Sequence, residues 1–215
     1  MKSFVVFGLG RFGSAVANRL IDEGADVMVV DNKTELIEQF ADRATSAIVA
    51  ELTDVSAIRA LGIENMDCAI VAMGTSLEAS IMCVMVSKEC GIPFVVAKAG
   101  SNRKGDILRK VGADQIIFPE EDSGIRTARS LMSDSFLDYF ELSEELCIVE
   151  MKPKTEWIGK TLRELNLRKR YSANVIAIRR NSLFESVDPD LELDMSATLL
   201  LLLRKSEANK LDEAK

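Results

Sequence analysis

The chain has 215 residues, of which 47% are hydrophobic and 28% are charged, and its formal net charge is −7. This composition is typical of a soluble globular protein, and the length allows one large or two small domains. The acidic balance argues against a general nucleic-acid-binding protein, which normally carries a basic excess. No apolar run approaches the ~20 residues that span a bilayer. Because an apolar run begins at once at Phe4, we expect no signal peptide and a cytoplasmic protein.

The sequence contains no histidine. This removes the commonest general base, the usual partner of a nucleophilic serine or cysteine, and the commonest metal ligand. The cysteines at positions 68, 83, 90 and 147 show no CxxC spacing and lie in apolar segments, which favours buried thiols over a redox or metal site. These features weigh against most enzymes, and we expect a protein without catalytic residues.

The first half of the chain alternates between strand-like and helix-like segments. Apolar strand-like runs occupy residues 4–7, 27–30, 47–50, 68–72, 94–97 and 115–118. Helical periodicity is seen near residues 12–22, 34–41, 55–61, 77–89 and 102–111. Asp54 and Ser101 are expected N-caps, and glycines at 24, 62, 91 and 112 are expected helix ends. This alternation predicts an α/β domain over residues 1–122, with a doubly wound parallel sheet of the Rossmann type.

A glycine motif follows the first predicted strand directly. Gly8, Gly10 and Gly13 have the GxGxxG spacing. In this motif the first glycine makes a tight turn, the second lets the backbone approach a pyrophosphate closely, and the third lets the helix pack closely on the sheet. The N-terminus of the next helix would then face the phosphates. Asp31 closes the second strand at about the 20-residue spacing where a carboxylate meets ribose hydroxyls. The pattern predicts nucleotide binding, whereas the alternative is a glycine turn that only shapes a strand–helix corner.

The character of the sequence changes after Phe118. An acidic loop at 119–122 precedes a segment from Ser123 to Leu142 that is predicted to be helical, with a break around Asp134. Its many apolar residues suggest a crossover arm, residues 123–141, whose apolar side meets a partner subunit. The alternative is a last helix that is buried on its own domain.

Residues 142–215 are predicted to form a second, smaller α/β domain. Strand-like runs at 146–151, 174–180 and 198–203 indicate three or four strands, with a short helix near 157–167 and a turn at 188–190. The charged tail from Arg204 to Lys215 contains few apolar residues. For this tail we expect a helical turn or disorder.

Five motifs spread over both halves resemble one family. They are GLGRFG at 8–13, VAMG at 71–74, AKAG at 97–100, GADQIIFPEED at 112–122 and IGKTLRELNLRKRYSANVIAIRR at 158–180. The chain is similar to RCK (regulator of K⁺ conductance) proteins, the cytosolic regulatory subunits of Ktr/Trk-type bacterial potassium-uptake systems. The resemblance runs from Ser3 to about Leu203 and implies a Rossmann domain, a crossover helix exchanged between subunits, and a C-terminal module (RCK N and RCK C).

The resemblance also implies partners and ligands. It implies homodimers that assemble into an octameric ring at the inner face of the cell membrane, beneath a membrane-embedded potassium transporter subunit. ATP, ADP or NAD(H) would bind the glycine loop, and no nucleic acid is involved. The resemblance assigns to the nucleotide site Gly8, Gly10, Arg11, Phe12, Gly13, Asp31, Asn32, Glu51, Met73, Gly74 and Lys98. The family often shows Gly-Asp-Ala/Pro-Thr after strand three, whereas this chain reads Ala-Glu-Leu-Thr-Asp at 50–54.

Two further sites are implied by the same resemblance. Glu120 resembles a carboxylate that helps to hold Mg²⁺ or Ca²⁺ between subunits, and the alternative is a solvated acidic loop. A cyclic di-AMP pocket, present in some family members, would involve Leu167, Arg168, Asn174, Ile176 and Pro189. For the arginines of this module, the alternative is a solvated basic face.

Two other functions compete with the regulatory one. A small NAD-dependent oxidoreductase would need an acid or base at the nicotinamide, and the chain has no histidine to supply one. A redox-sensing nucleotide-binding regulator would need a DNA-reading module with clustered basic charge. No helix-turn-helix candidate adjoins the Rossmann segment. The sequence does not discriminate ATP, ADP and NAD(H), because Asp31 suits any unphosphorylated ribose.

Overall fold

The computed structural model describes residues 1–132, 135–181 and 183–213, which divide into two compact units, Met1–Glu120 and Glu121–Lys215. The first unit is built on a six-stranded sheet whose paired strands are all parallel, in the order β3-β2-β1-β4-β5-β6. Its strands are β1 (Ser3–Phe7), β2 (Asp26–Asp31), β3 (Ser46–Val49), β4 (Cys68–Val71), β5 (Phe94–Lys98) and β6 (Gln115–Ile117). This strand order is that of a dinucleotide-binding Rossmann domain, so the predicted fold is confirmed.

Five helices connect these strands. They are α1 (Arg11–Asp22), α2 (Thr34–Glu38), α3 (Val55–Arg59), α4 (Leu77–Glu89) and α5 (Asn102–Val111). The predicted N-caps are present, since the Asp54 carboxylate accepts from the N–H groups of Ser56 and Ala57, and the Ser101 hydroxyl accepts from that of Lys104. α2 and α3 are shorter than predicted.

The apolar strand residues divide between two cores, one on each face of the sheet. Val5 and Phe7 of β1 belong to one core, and Val6 between them belongs to the other. The same alternation holds along β2 and β4. Because both faces are covered, the strands are apolar without interruption, as the sequence showed.

One helix connects the two units in sequence. α6 (Pro119–Met132) has no buried residue, and Ile125, Leu131 and Met132 are among its exposed apolar side chains. The predicted helix from Ser123 to Leu142 is wrong in its second half, because β7 (Phe136–Glu141) pairs antiparallel with the next strand. In β7 the side chains alternate across a sheet, so a run of apolar residues that suggested a helix is instead an edge strand. The predicted break at Asp134 lies outside the described residues.

The second unit contains a five-stranded sheet, not the three or four strands predicted. Its order is β10-β9-β11-β8-β7, and its pairings are antiparallel. The remaining elements are β8 (Leu146–Met151), a 3₁₀ turn (Thr155–Trp157), α7 (Leu162–Leu165), α8 (Leu167–Tyr171), β9 (Asn174–Arg180), β10 (Leu183–Glu185), β11 (Thr198–Arg204) and α9 (Lys205–Glu213). The tail forms α9 because Ala208 and Leu211 enter the core of this unit.

The helices are short compared with the thickness of a membrane. The longest described helix, α6, has 14 residues, whereas about 20 apolar residues are needed to cross a bilayer. Across the described ranges, no helix is both long and apolar enough to do so.

Candidate functional site

The glycine loop lies at the carboxyl end of β1, next to the carboxyl ends of β2 and β4. Gly8 has φ of +89°, and a Cβ there would lie 3.0 Å from Cγ of Met73. Its N–H donates to the carbonyl of Val30 at 2.8 Å. Both the backbone angle and the packing of Met73 therefore require glycine at this position.

Gly13 and Gly10 are glycines for different reasons. A Cβ at Gly13 would lie 1.9 Å from the carbonyl oxygen of Gly8, so the contact between α1 and the loop excludes any side chain. At Gly10 a Cβ would meet no atom within 4 Å, and the backbone angles of φ −64° and ψ −179° suit any residue. The fold of this unit therefore does not require glycine at position 10.

The N-terminus of α1 begins beside this open position. The N–H of Ser14 donates to the carbonyl of Gly10 at 2.9 Å, and the Ser14 hydroxyl donates to the carbonyl of Leu9 at 2.8 Å. The N–H groups of the first turn precede this bond and have no acceptor within the helix. Together with the positive end of the helix dipole, they favour an anion over Gly10.

Asp31 has a structural role that the sequence analysis did not predict. Its carboxylate is buried, with Oδ2 accepting from the N–H of Leu9 at 2.6 Å and Oδ1 accepting from the N–H of Lys33 at 2.9 Å. The side chain thus fixes the glycine loop to the end of β2. Each carboxylate oxygen has a second lone pair, so the same group can still accept from a ribose hydroxyl.

Asn32 and Glu51 lie together beyond the ends of β2 and β3. The Asn32 amide donates to the Glu51 carboxylate at 3.4 Å, and the Thr53 hydroxyl and N–H donate to the same carboxylate at 3.0 and 3.2 Å. The hydrogen bond from the Thr53 hydroxyl is the main reason that the pKa of Glu51 is lowered. This exposed, ionised group neighbours Asp31, where the ribose is expected.

Lys98 ends β5 with a side chain that is only 12% exposed, and its Nζ lies 2.6 Å from Oε1 of Glu120. The ammonium is 5.8 Å from the centre of the Phe12 ring and 3.4 Å from the position of a Cβ on Gly74. Four predicted site residues are therefore brought together near the carboxyl ends of β1, β4 and β5 and the start of α6: Phe12, Gly74, Lys98 and Glu120.

The environment of Glu120 also involves Arg11. The hydrogen bond from Lys98 lowers the pKa of the Glu120 carboxyl, and the charge of Arg11 acts in the same direction to a smaller extent. Arg11 is exposed at the first position of α1. Two predicted cations, Lys98 and Arg11, thus both favour the ionised form of Glu120.

A small cleft that is open to solvent adjoins this cluster. Besides Met73, Gly74 and Lys98, its lining includes Ser76 and Lys104, which the sequence analysis missed. The sequence could have indicated Ser76, because a serine directly before a helical segment is a typical N-cap. In the structure Ser76 caps α4, and its hydroxyl accepts from the N–H of Ala79 at 3.1 Å. For Lys104 only the packing of α5 beside α4 revealed its position.

The described part of the chain offers no ready-made metal site. Over residues 1–132, 135–181 and 183–213, no three His, Cys, Asp or Glu side chains are grouped as metal ligands. The carboxylate of Glu120 is paired with Lys98 in one chain. A single carboxylate beside an ammonium does not fit a divalent cation, which prefers several oxygen ligands.

The four cysteines are free thiols. Cys83 and Cys147 are buried, as predicted, whereas Cys68 and Cys90 are half-buried. Loss of solvent contact raises the pKa of each thiol, to about 11 for Cys68. Raised pKa values keep these groups protonated near neutral pH, which is unfavourable for thiolate chemistry.

In the second unit the predicted residues lie around the start of β9. The N–H of Ala173 donates to the carbonyl of Leu167 at 3.4 Å, which places the start of α8 beside the start of the strand. Asn174 and Ile176 are exposed at alternate positions of β9, while the Leu167 side chain is buried in the core. Leu167 therefore supports this surface and offers only backbone atoms to a ligand.

Pro189 is held near α7 in the same unit. Its carbonyl accepts from the N–H of Arg163 at 2.8 Å, and the Arg163 guanidinium makes two bonds to the carboxylate of Asp190, at 2.7 and 3.0 Å. The side chains of Arg168 and Pro189 are exposed. Three arginines of this module, Arg163, Arg179 and Arg180, thus form ion pairs within the unit, and Arg168 is presented at the surface.

Comparison with known proteins identifies the family. The sequence profile of the TrkA-N domain matches residues 4–119, and that of the TrkA-C domain matches residues 146–215. The chain belongs to the TrkA-N/TrkA-C family. This result confirms the family resemblance that the sequence motifs indicated.

Members of this family with known roles cover nearly the whole chain. Ktr system potassium uptake protein C of Bacillus subtilis (strain 168) is 38% identical over 179 residues, which cover 83% of this chain and 81% of that protein. Ktr system potassium uptake protein A of Vibrio alginolyticus is 33% identical over 212 residues, or 98% of this chain and 96% of that protein.

Solved structures of low identity share the TrkA-N/TrkA-C fold. The GsuK RCK domain aligns with a TM-score of 0.68 at 17% identity, covering 98% of this chain and 47% of that chain. A structure of the GsuK channel bound to NAD aligns with a TM-score of 0.68 at 16% identity, over 96% of this chain and 38% of that chain. The present chain therefore spans less than half of the length of those GsuK chains.

Proposed function

We propose that this chain is a non-enzymatic, nucleotide-sensing regulatory subunit of a potassium uptake system. It acts from the cytoplasm at the inner face of the membrane, where it binds a membrane-embedded potassium transporter. The support is the identity of 33–38% with Ktr potassium uptake proteins over most of the chain. Nucleotide binding provides the signal, and the transporter is the partner that responds.

The observation that carries nucleotide binding is the open position at Gly10. The fold leaves 4 Å of empty space around a Cβ at this residue, directly at the N-terminus of α1. A glycine that the fold does not need is explained when a ligand must approach the backbone closely. The unpaired N–H groups of α1 would then hold the ligand's phosphates.

The ligand shifts the protein between conformations only if it binds them with different affinities. The groups that can supply this difference are the first turn of α1, the carboxylate of Asp31 and the cation Lys98. All three lie at or just after the carboxyl ends of parallel strands, where Rossmann domains bind ligands. A ligand that contacts all three connects the carboxyl ends of β1, β2 and β5.

We predict that ATP, ADP or NAD(H) binds well ahead of NADP(H). The carboxylate of Asp31 is buried and would face the 2′-hydroxyl of the ribose, so a 2′-phosphate would place like charges together. Isothermal titration of the full-length protein with ADP, NAD⁺ and NADP⁺ measures this preference. A tighter affinity for NADP⁺ than for NAD⁺ would contradict this assignment of Asp31.

The assembly that we propose is a homodimer, with dimers arranged in an octameric ring as the family resemblance implies. Its support is α6, a 14-residue helix of which no described residue is buried in one chain. Helices gain most of their stability from packing an apolar face. A second copy of the chain would cover this face as the crossover arm of the partner.

A divalent cation, Mg²⁺ or Ca²⁺, would need ligands from more than one chain. Glu120 supplies one carboxylate, and its equivalent in a second subunit and the ligand's phosphates would supply the other oxygens. Within one chain the same carboxylate binds Lys98. Cation binding at Glu120 thus requires both the dimer and the nucleotide.

We also propose that cyclic di-AMP binds the second unit. A two-fold interface would present Arg168, Asn174 and Ile176 twice, which suits a symmetric dinucleotide. The guanidinium of Arg168 is exposed and matches phosphate oxygens, while Ile176 offers an exposed apolar contact for the base.

The expected result is that Arg168→Ala weakens cyclic di-AMP binding by about tenfold or more, since it removes a charge-assisted bond of about 1.5–3 kcal/mol. ADP affinity should remain unchanged, because the substitution lies outside the Rossmann unit. Lys169→Ala, which removes a neighbouring cation, is the matched control. If cyclic di-AMP binding to the wild-type protein does not saturate, or if Arg168→Ala has no effect on it, Arg168 is only a solvated residue of a basic face.

A further inference from the structure

The pair formed by Lys98 and Glu120 is unequal in its contact with solvent. The Lys98 side chain is 12% exposed, whereas the Glu120 side chain is 68% exposed. A buried ammonium needs a negative partner, because removing a charge from water is costly unless it is paired. An exposed carboxylate has no such need, since water replaces its partner at little cost.

The position of Lys98 makes a second partner available. Its ammonium lies beside Gly74 and near Phe12, hence between the loop after β4 and the first turn of α1. It also lines the cleft that contains Ser76 and Lys104. Phosphates held at the N-terminus of α1 would come within reach of the same ammonium.

We infer that Glu120 and the phosphates of the bound nucleotide compete for Lys98. Without a ligand Glu120 neutralises Lys98, and a phosphate takes its place when the nucleotide binds, which releases the Glu120 carboxylate from Lys98. This inference rests on the proposed nucleotide-binding function and adds the residue that the ligand displaces. Adenosine, which has no phosphate, leaves the pair intact.

The exchange of partners by Lys98 affects the start of α6. Glu120 is the second residue of α6, whose later residues belong to the second unit. The residue that changes partner therefore lies on the helix that leads out of the Rossmann unit. The phosphate charge of the ligand, and not its nucleobase, therefore controls whether the ion pair between Lys98 and Glu120 connects the start of α6 to the end of β5.

The test measures affinities of the full-length protein for ADP and for adenosine, with EDTA present so that no divalent cation contributes. Glu120→Gln removes the competing charge and is expected to raise ADP affinity by about fivefold, the scale of one ion pair with an exposed partner. Adenosine affinity should stay the same. Glu121→Gln, which changes an exposed neighbour on the same helix, is the matched control and should have no effect.

A double-mutant cycle shows whether Glu120 acts through Lys98. Lys98→Met should lower ADP affinity, and in that background Glu120→Gln should no longer raise it. An ADP affinity that is unchanged or reduced in Glu120→Gln overturns the competition, and so does an equal gain in the Lys98→Met background. If the wild-type protein binds neither ADP nor ATP, the proposed nucleotide function fails, and this inference fails with it.

Discussion

Gly10→Ala is expected to abolish or strongly weaken nucleotide binding while the protein keeps its wild-type stability. The added methyl group meets no protein atom within 4 Å, and the backbone angles at this position are ordinary. A phosphate over the N-terminus of α1 would occupy the same space, and such overpacking costs about 1–3 kcal/mol or more. The affinity for ADP should fall by at least about tenfold, as measured by isothermal titration.

The contrasting substitution is Gly13→Ala. A methyl group there would lie 1.9 Å from a backbone oxygen and 3.0 Å from Cβ of Ala72, so α1 must move away from the sheet. We expect a loss of stability of about 3 kcal/mol or more, seen as a lower midpoint in urea unfolding. Normal ADP binding by Gly10→Ala, with an unchanged unfolding midpoint, would show that no phosphate approaches this loop.

Leu131→Asp is expected to convert the assembled protein into smaller species without unfolding the single chain. Leu131 is 81% exposed on α6, so a carboxylate there costs little in one chain. If a partner covers this helix, the same carboxylate is buried without a counter-charge, which costs about 3–5 kcal/mol per site. Light scattering coupled to size exclusion, at micromolar concentration, measures the change in mass.

Met195→Asp is the matched control, because Met195 is 82% exposed but lies between β10 and β11 in the second unit. It should leave the mass of the assembly unchanged. Phe136→Asp would be a less clear test, since Phe136 packs against the core of its own unit. A wild-type protein that elutes as a folded monomer of 23.7 kDa would contradict the role of α6 as an interface.

The local pattern of the sequence predicted most of the first unit. Strands that are apolar without interruption, helices with caps and the glycine motif are each encoded within about 10 neighbouring residues, and all point to a parallel sheet. Two helices, α4 and α5, have the predicted bounds. The regulatory family followed from motifs in both halves, and the profile matches confirm it.

The segment from Ser123 to Leu142 shows where local pattern is insufficient. Apolar residues in 136–141 occur too closely to distinguish a helical face from a strand by periodicity. The segment is a strand because it pairs with β8, which follows directly after a turn at residues 142–145. By contrast, α9 forms because two of its apolar residues reach a core to which distant strands contribute.

The sequence by itself predicted which groups the Rossmann site contains, because the spacing of Gly8, Gly10, Gly13 and Asp31 is fixed along one strand–helix–strand unit. Only the tertiary structure decided how those groups are used. The bond from Leu9 to Asp31 and the pair of Lys98 with Glu120 each join residues more than 20 positions apart. Such contacts depend on parallel strands that bring their carboxyl ends to one edge of the sheet, and the order of those strands is not encoded in any single segment.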